Sequence, residues 1–166
     1  MRNRKPNRLK YYDYSQAGWY YVTICTQNHE HHFGIIKNEK MMLNEFGGIV
    51  VEFWDEIPKH FPNVELDELV IMPNHIHGII IINYDNNVRV ENIRPQQKTN
   101  LSNVIKGFKI GVTKWCKINN YSDFKWQRSF YDRIIRNDKE LYNIRKYIQQ
   151  NPLKWSLEKD NVNLDI

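Results

Sequence analysis

Val70-Ile71-Met72-Pro73-Asn74-His75-Ile76-His77-Gly78-Ile79-Ile80-Ile81-Ile82 sets two histidines around one isoleucine at the head of an aliphatic run. The run is short, rich in β-branched residues and bounded by Pro73-Asn74 and by Asn83, which is the signature of a strand. Side chains alternate along a strand, so His75 and His77 share one face and Ile76 lies on the other. Two neutral imidazoles side by side on a rigid element suit a borderline divalent cation. Four consecutive isoleucines need cover on both faces, which puts the strand in the interior of its sheet.

The segments around it assemble a fold. Val64 to Met72 is a second long strand, and the Pro73-Asn74 link is too short for a crossover, so the two run antiparallel. Upstream, Trp19 to Thr26 alternates as a strand, and Phe33 to Leu43 reads as a hairpin turning at Lys37 to Lys40. Asn44 can cap a helix whose apolar residues (Phe46, Ile49, Val50, Phe53, Trp54, Ile57) repeat at 3.6, with Pro58 and Pro62 closing it. Downstream, residues 84 to 100 are polar and read as a loop. A helix follows from about Ser102 to Ile118, then a strand from Phe130 to Ile135. A last helix is opened by Asn137 with Glu140 and ends near Asn151, before Pro152. Setting aside the N-terminal hairpin and the last helix leaves βαββαβ, an α+β, ferredoxin-like or RRM-like core with an antiparallel sheet. The chain is expected to be one domain over residues 1–166, with a basic arm at 1–14 and a frayed polar tail at 156–166.

The 166 residues suit a single core. Lys and Arg total 24 against 19 Asp and Glu, so the distribution of charge matters more than its sum. Arg2, Arg4, Lys5, Arg8 and Lys10 crowd the first ten residues without an acid and lead into Tyr11, Tyr12 and Tyr14, a pairing that suits phosphates and bases. Lys106, Lys109 and Lys117 share one face of their helix, which is a solvated face or a phosphate stripe. The two cysteines, Cys25 and Cys116, are far apart in apolar contexts and read as reduced core residues. No apolar segment reaches spanning length, so a cytoplasmic protein without a membrane partner is expected.

In such a fold two helices cover one face of the sheet, and the last helix is the spare element for the histidine face. On it, Leu141, Ile144 and Ile148 form the apolar stripe, Tyr147 borders that stripe, and Asn151 follows one turn later. A phenol beside a cation held by two imidazoles can serve as a nucleophile, with Asn151 offering an amide oxygen as a third ligand. The same residues also admit plainer roles, a packing tyrosine with a wet hydroxyl and a helix C-cap.

The residues carry a resemblance. Trp19-Tyr20-Tyr21-Val22-Thr23-Ile24-Cys25-Thr26, the segment from Val70 to Gly78, Ile105-Lys106-Gly107-Phe108-Lys109, Trp126-Gln127-Arg128 and Tyr147-Ile148-Gln149-Gln150-Asn151-Pro152-Leu153-Lys154 occur in order across nearly the whole chain. Together they resemble the single-tyrosine HUH transposases, most closely the REP-associated tyrosine transposases with their IS200-like domain. The resemblance implies that His75 and His77 bind Mg²⁺ or Mn²⁺, with Asn151 at the third ligand position. It implies that Tyr147 attacks single-stranded DNA bearing hairpin repeats, leaving a 5′-phosphotyrosine and a free 3′-OH. Arg2, Arg4, Lys5, Arg8, Lys106, Lys109 and Arg128 are candidates for DNA backbone contact, and the protein would sit on the nucleoid when bound. Monomer and homodimer both occur among such proteins. Two alternatives stay open: a non-catalytic RRM-like binder of single-stranded nucleic acid, and a metal hydrolase that activates water.

Overall fold

The computed structural model describes residues 12–84 and 99–162. Its elements are β1 (Gly18–Cys25), β2 (Gly34–Lys37), β3 (Lys40–Leu43), α1 (Glu45–Asp55), α2 (Ile57–His60), β4 (Val64–Met72) and β5 (His75–Ile82). They continue with α3 (Leu101–Ile118), β6 (Tyr131–Ile135), α4 (Asp138–Gln149) and α5 (Asn151–Val162). The main sheet has the order β4-β5-β1-β6, and every neighbouring pair is antiparallel. With β2 and β3 forming a separate hairpin, this is the expected βαββαβ arrangement, with the histidine strand in the interior. Among the described residues no helix is long and apolar enough to cross a membrane.

Strand alternation splits the chain between two cores. Tyr20, Val22 and Ile24 of β1 join Ile76, Ile80 and Ile82 of β5 against α1 and α3. Ile79 and Ile81 point the other way and pack with Ile135, Ile144 and Ile148, under α4. The four isoleucines are thus divided two and two, as a doubly covered strand requires. Gly78 lies where α1 crosses the sheet: a Cβ there would meet the buried Trp54 ring at 2.4 Å. Only glycine lets the helix approach so closely.

Caps fix three helices. The side-chain oxygens of Asn44, Asn100 and Asn137 accept from the backbone N–H groups of Gly47, Asn103 and Glu140. Glu140 does not complete a reciprocal capping box; its carboxylate accepts from the N–H of Arg136 and from Arg133. Two prolines behave differently from expectation. Pro58 sits at the start of α2 rather than ending α1, and Pro152 is the second residue of α5. The missing N–H of proline costs nothing in a first turn, so each is tolerated where a new helix begins. The polypeptide after Trp155 consequently stays helical to Val162 instead of fraying.

Candidate active site

The site is built on β5, β1 and the α4–α5 corner. The register of β1 against β5 sets Thr23 opposite His77 and Cys25 opposite His75. The two imidazoles turn their Nε2 atoms toward each other, 3.0 Å apart. Their outer nitrogens are held by different groups. Asn74 donates its amide N–H to the carbonyl of His29 (3.0 Å), which leaves its Oδ1 facing Nδ1 of His75 at 2.7 Å. An amide oxygen only accepts, so the His75 proton is on Nδ1 and its Nε2 carries a lone pair. Nδ1 of His77 meets two hydroxyls, Tyr21 at 2.7 Å and Thr23 at 2.9 Å. Hydroxyls donate or accept, so His77 can hold either tautomer.

Both rings are neutral at pH 7. Burial pulls His75 down to about 4, helped by nearby His29, and pulls His77 down to about 3, helped by His75. Burial likewise pushes the Tyr21 phenol up to about 12, so it stays a hydrogen-bonding hydroxyl. The donor set fits a divalent cation. Two nitrogens each ~2.1 Å from one ion and at roughly a right angle would stand about 3.0 Å apart. With the proton of His77 moved to Nδ1, both lone pairs face the same point. A hydrogen bond from one Nε2 to the other satisfies the same separation when no cation is held. Among the described residues no group of three or more His, Cys, Asp or Glu side chains gathers as a metal cage. The amide of Asn151 is the sequence candidate for a third donor of another type.

The structure brings Tyr147 to this pair within the same chain. Its ring lies against that of His77 with centroids 5.4 Å apart and planes at 70°, and meets Tyr21 edge-on at 6.3 Å. It is 39% exposed, so one side of the phenol is open. Lys154 lies over the ring face at 4.7 Å from its centroid. Asn151, one turn after Tyr147, is buried to 6% exposure at the corner where α5 begins. Trp155 of that helix packs on His75 at 5.8 Å. Tyr142 points to solvent, as its place on the helix requires.

A bulge in β4 between Leu66 and Leu69 turns Asp67 and Glu68 toward α4. Arg145 clasps Asp67 through two contacts, Nε to Oδ1 at 2.9 Å and a second from Nη2 to Oδ2, and Gln149 donates to Glu68 at 2.8 Å. These contacts fix the helix two residues on either side of Tyr147.

The remaining sequence candidates divide. Lys106 and Arg128 are exposed on the side of α3. Lys109 is half-buried and its ammonium donates to the carbonyl of Gln127 at 2.6 Å; burial pulls it down to about 8. Arg2, Arg4, Lys5 and Arg8 lie outside the described residues. Tyr12 and Tyr14, which follow that arm, pack with Tyr20 at the edge of the larger core. Sequence reasoning missed Tyr21, Thr23, Asn74, Lys154 and Trp155 as parts of the site. The even spacing of Tyr21 and Thr23 on β1 was visible, but only the β1–β5 register puts them behind His77.

Comparison with known proteins places the chain. It is 41% identical over 99% of its length to an uncharacterized protein of Haemophilus influenzae, covering 96% of that protein. It is 27% identical over 86% of its length to a second protein of that organism, provisionally named a REP-associated tyrosine transposase, covering 74% of it. Its fold matches that of a REP-associated tyrosine transposase solved bound to a REP hairpin, with a TM-score of 0.59 and 20% identity over 89% of this chain and 74% of the other. The family model described as "Transposase IS200 like" matches residues 25–151, which include both histidines, Tyr147 and Asn151, and the chain belongs to that family.

Proposed function

We propose that this protein nicks and rejoins single-stranded DNA at hairpin-bearing repeats, with Tyr147 as nucleophile. The observation that carries the reading is the packing of the Tyr147 ring on His77, beside two Nε2 atoms that converge on one point. His75, His77 and Asn151 would hold Mg²⁺ or Mn²⁺, and such an ion supplies a Lewis acid that polarises a phosphoryl oxygen.

The chain's own residues do the rest. Asn74 fixes the ring of His75, while Tyr21 and Thr23 accept the Nδ1 proton of His77. The Tyr147 oxygen attacks phosphorus, a tyrosine–phosphate bond forms to the 5′ side, and the bond to the 3′ oxygen breaks. The phenol proton passes to solvent, and the departing 3′ oxygen takes a proton from solvent to leave as a 3′-OH. Lys154 adds positive field where negative charge develops. The new linkage is still a phosphodiester, so a 3′-OH can reverse the step without a nucleotide cofactor. Lys106 and Arg128, with the basic arm, add sequence-independent affinity for the DNA backbone. The reaction belongs to the compartment that holds the chromosome, the cytoplasm.

A 3′-labelled hairpin oligonucleotide incubated with Mn²⁺ tests this. The wild type is expected to leave a labelled band retained by the protein on a denaturing gel. Tyr147→Phe should abolish that band while binding persists, and His77→Ala should reduce it at least 100-fold, in line with losing a metal ligand. Cleavage that survives in Tyr147→Phe would instead indicate attack by water.

A further inference from the structure

On the side of the sheet away from the histidines, α3 and the segment 124–130 enclose an open groove of about 780 Å³. Lys106, Lys114, Lys117, Lys125 and Arg128 rim it. Its lining among the described residues holds no Asp or Glu, although the chain has 19 acids. The rim is therefore segregated charge, not the average surface. Its floor is apolar and aromatic, with Ile105, Trp126 and Phe130.

The wall of the groove is built, not incidental. Lys109 points inward and ties the carbonyl of Gln127 to α3, which holds Arg128 at the rim. The N–H groups of Gln27 and Gln127 pair with the carbonyls of Lys125 and Cys25, so the segment is stitched to the end of β1. A second cleft, of about 440 Å³, continues from the first and shares Gln27, Trp126, Gln127 and Arg128 with it. It ends at His29, whose carbonyl holds Asn74, the residue that fixes His75.

We propose that this groove is the track for an unpaired DNA strand, which runs along α3, turns past Arg128 and His29, and enters the histidine site. Lys106 and Lys117 are eleven residues apart on one helix, or about 16 Å, which spans roughly five phosphate intervals at stacked spacing. Cations spaced over that length match a polyanion rather than a small anion. The aromatic floor selects an unpaired strand, because only unpaired bases can stack on it. Lys109 is a brace for the track, and Lys106, Lys117 and Arg128 are its phosphate contacts. The direction of the strand into the site rests on the nicking reading above; the occupancy of the groove does not.

Fluorescence anisotropy with the full chain tests it, using hairpin oligonucleotides whose single-stranded flank is ten or two nucleotides long. The triple variant Lys106→Ala/Lys117→Ala/Arg128→Ala is compared with the wild type and with Lys37→Ala/Lys40→Ala/Lys139→Ala, which removes three exposed lysines elsewhere. The groove variant should lose at least tenfold in affinity for the long flank and far less for the short one. Its slope of log K against log salt should flatten by about 2, since each phosphate neutralised on a single strand contributes ~0.7. Unchanged Mn²⁺ binding checks its folding. Should the triple not fold, Lys117→Ala alone should still flatten the slope by about 0.7. Equal affinities and slopes in groove and control variants would overturn the track, and so would a loss that ignores flank length. Failure of the nicking reading looks different: the wild type would bind through the groove and form no covalent adduct.

Discussion

At His75 the outer ring nitrogen faces an amide oxygen, and at His77 it faces two hydroxyls. The difference has a chemical consequence. His75 is held in the tautomer that, on the proposed reading, would ligate a cation, whereas His77 can shift its proton from one nitrogen to the other. Removing both hydroxyls, in Tyr21→Phe/Thr23→Val, leaves Nδ1 of His77 without a partner in a buried site. Affinity for Mn²⁺, read by calorimetry or electron paramagnetic resonance, should fall by about 10- to 100-fold. An unchanged affinity would mean that these hydroxyls do not support a ligand. The H-x-H pair itself was legible, because strand alternation is local. The hydroxyls were not, because strand register brings them in from more than fifty residues away.

At the scale of elements, the orientation of α4 decides where Tyr147 sits. The apolar stripe of Ile144 and Ile148 seats the helix on the sheet but does not stop it rolling. Arg145 on Asp67 and Gln149 on Glu68 supply the directional contacts. The hydrogen bond from Arg145 is the main cause holding the Asp67 carboxyl below the usual range, with burial opposing it. A carboxylate with a depressed folded pKa adds stability that is fully present above its unfolded value, about 3.9. That stability is lost as pH falls through that value toward the folded one. Asp67→Asn should therefore destabilise the chain by about 1–2 kcal/mol at pH 7 and by much less at pH 3, in urea titrations. A difference that does not shrink with acid would rule out the ionic contact. The stripe was readable from periodicity, but the clasp depends on a bulge, which periodicity does not report. The same limit explains Pro58 and Pro152: a proline marks a helix boundary, and local sequence does not say whether it is a stop or a restart.

For the whole molecule, the order of predicted elements was enough to reach a ferredoxin-like antiparallel sheet with the histidine strand in its interior, because a short Pro73-Asn74 link and a βαββαβ sequence leave few topologies. The two-sided burial of β5 then dictated that α4 must cover the histidine face. In the structure the tyrosine and both histidines come together in one chain. A site complete in one chain cannot be rebuilt from two defective ones. Mixing His77→Ala with Tyr147→Phe should thus give no DNA adduct beyond the sum of the separate proteins. Recovered adduct would indicate that the helix crosses to a neighbouring copy. The most direct measurement is mass spectrometry on the covalent product after trypsin and nuclease digestion. The expected result is a nucleotide 5′-phosphate attached to the peptide Tyr147–Lys154. Attachment to any other residue, or DNA cut without attachment, would contradict the assignment of Tyr147 as the nucleophile.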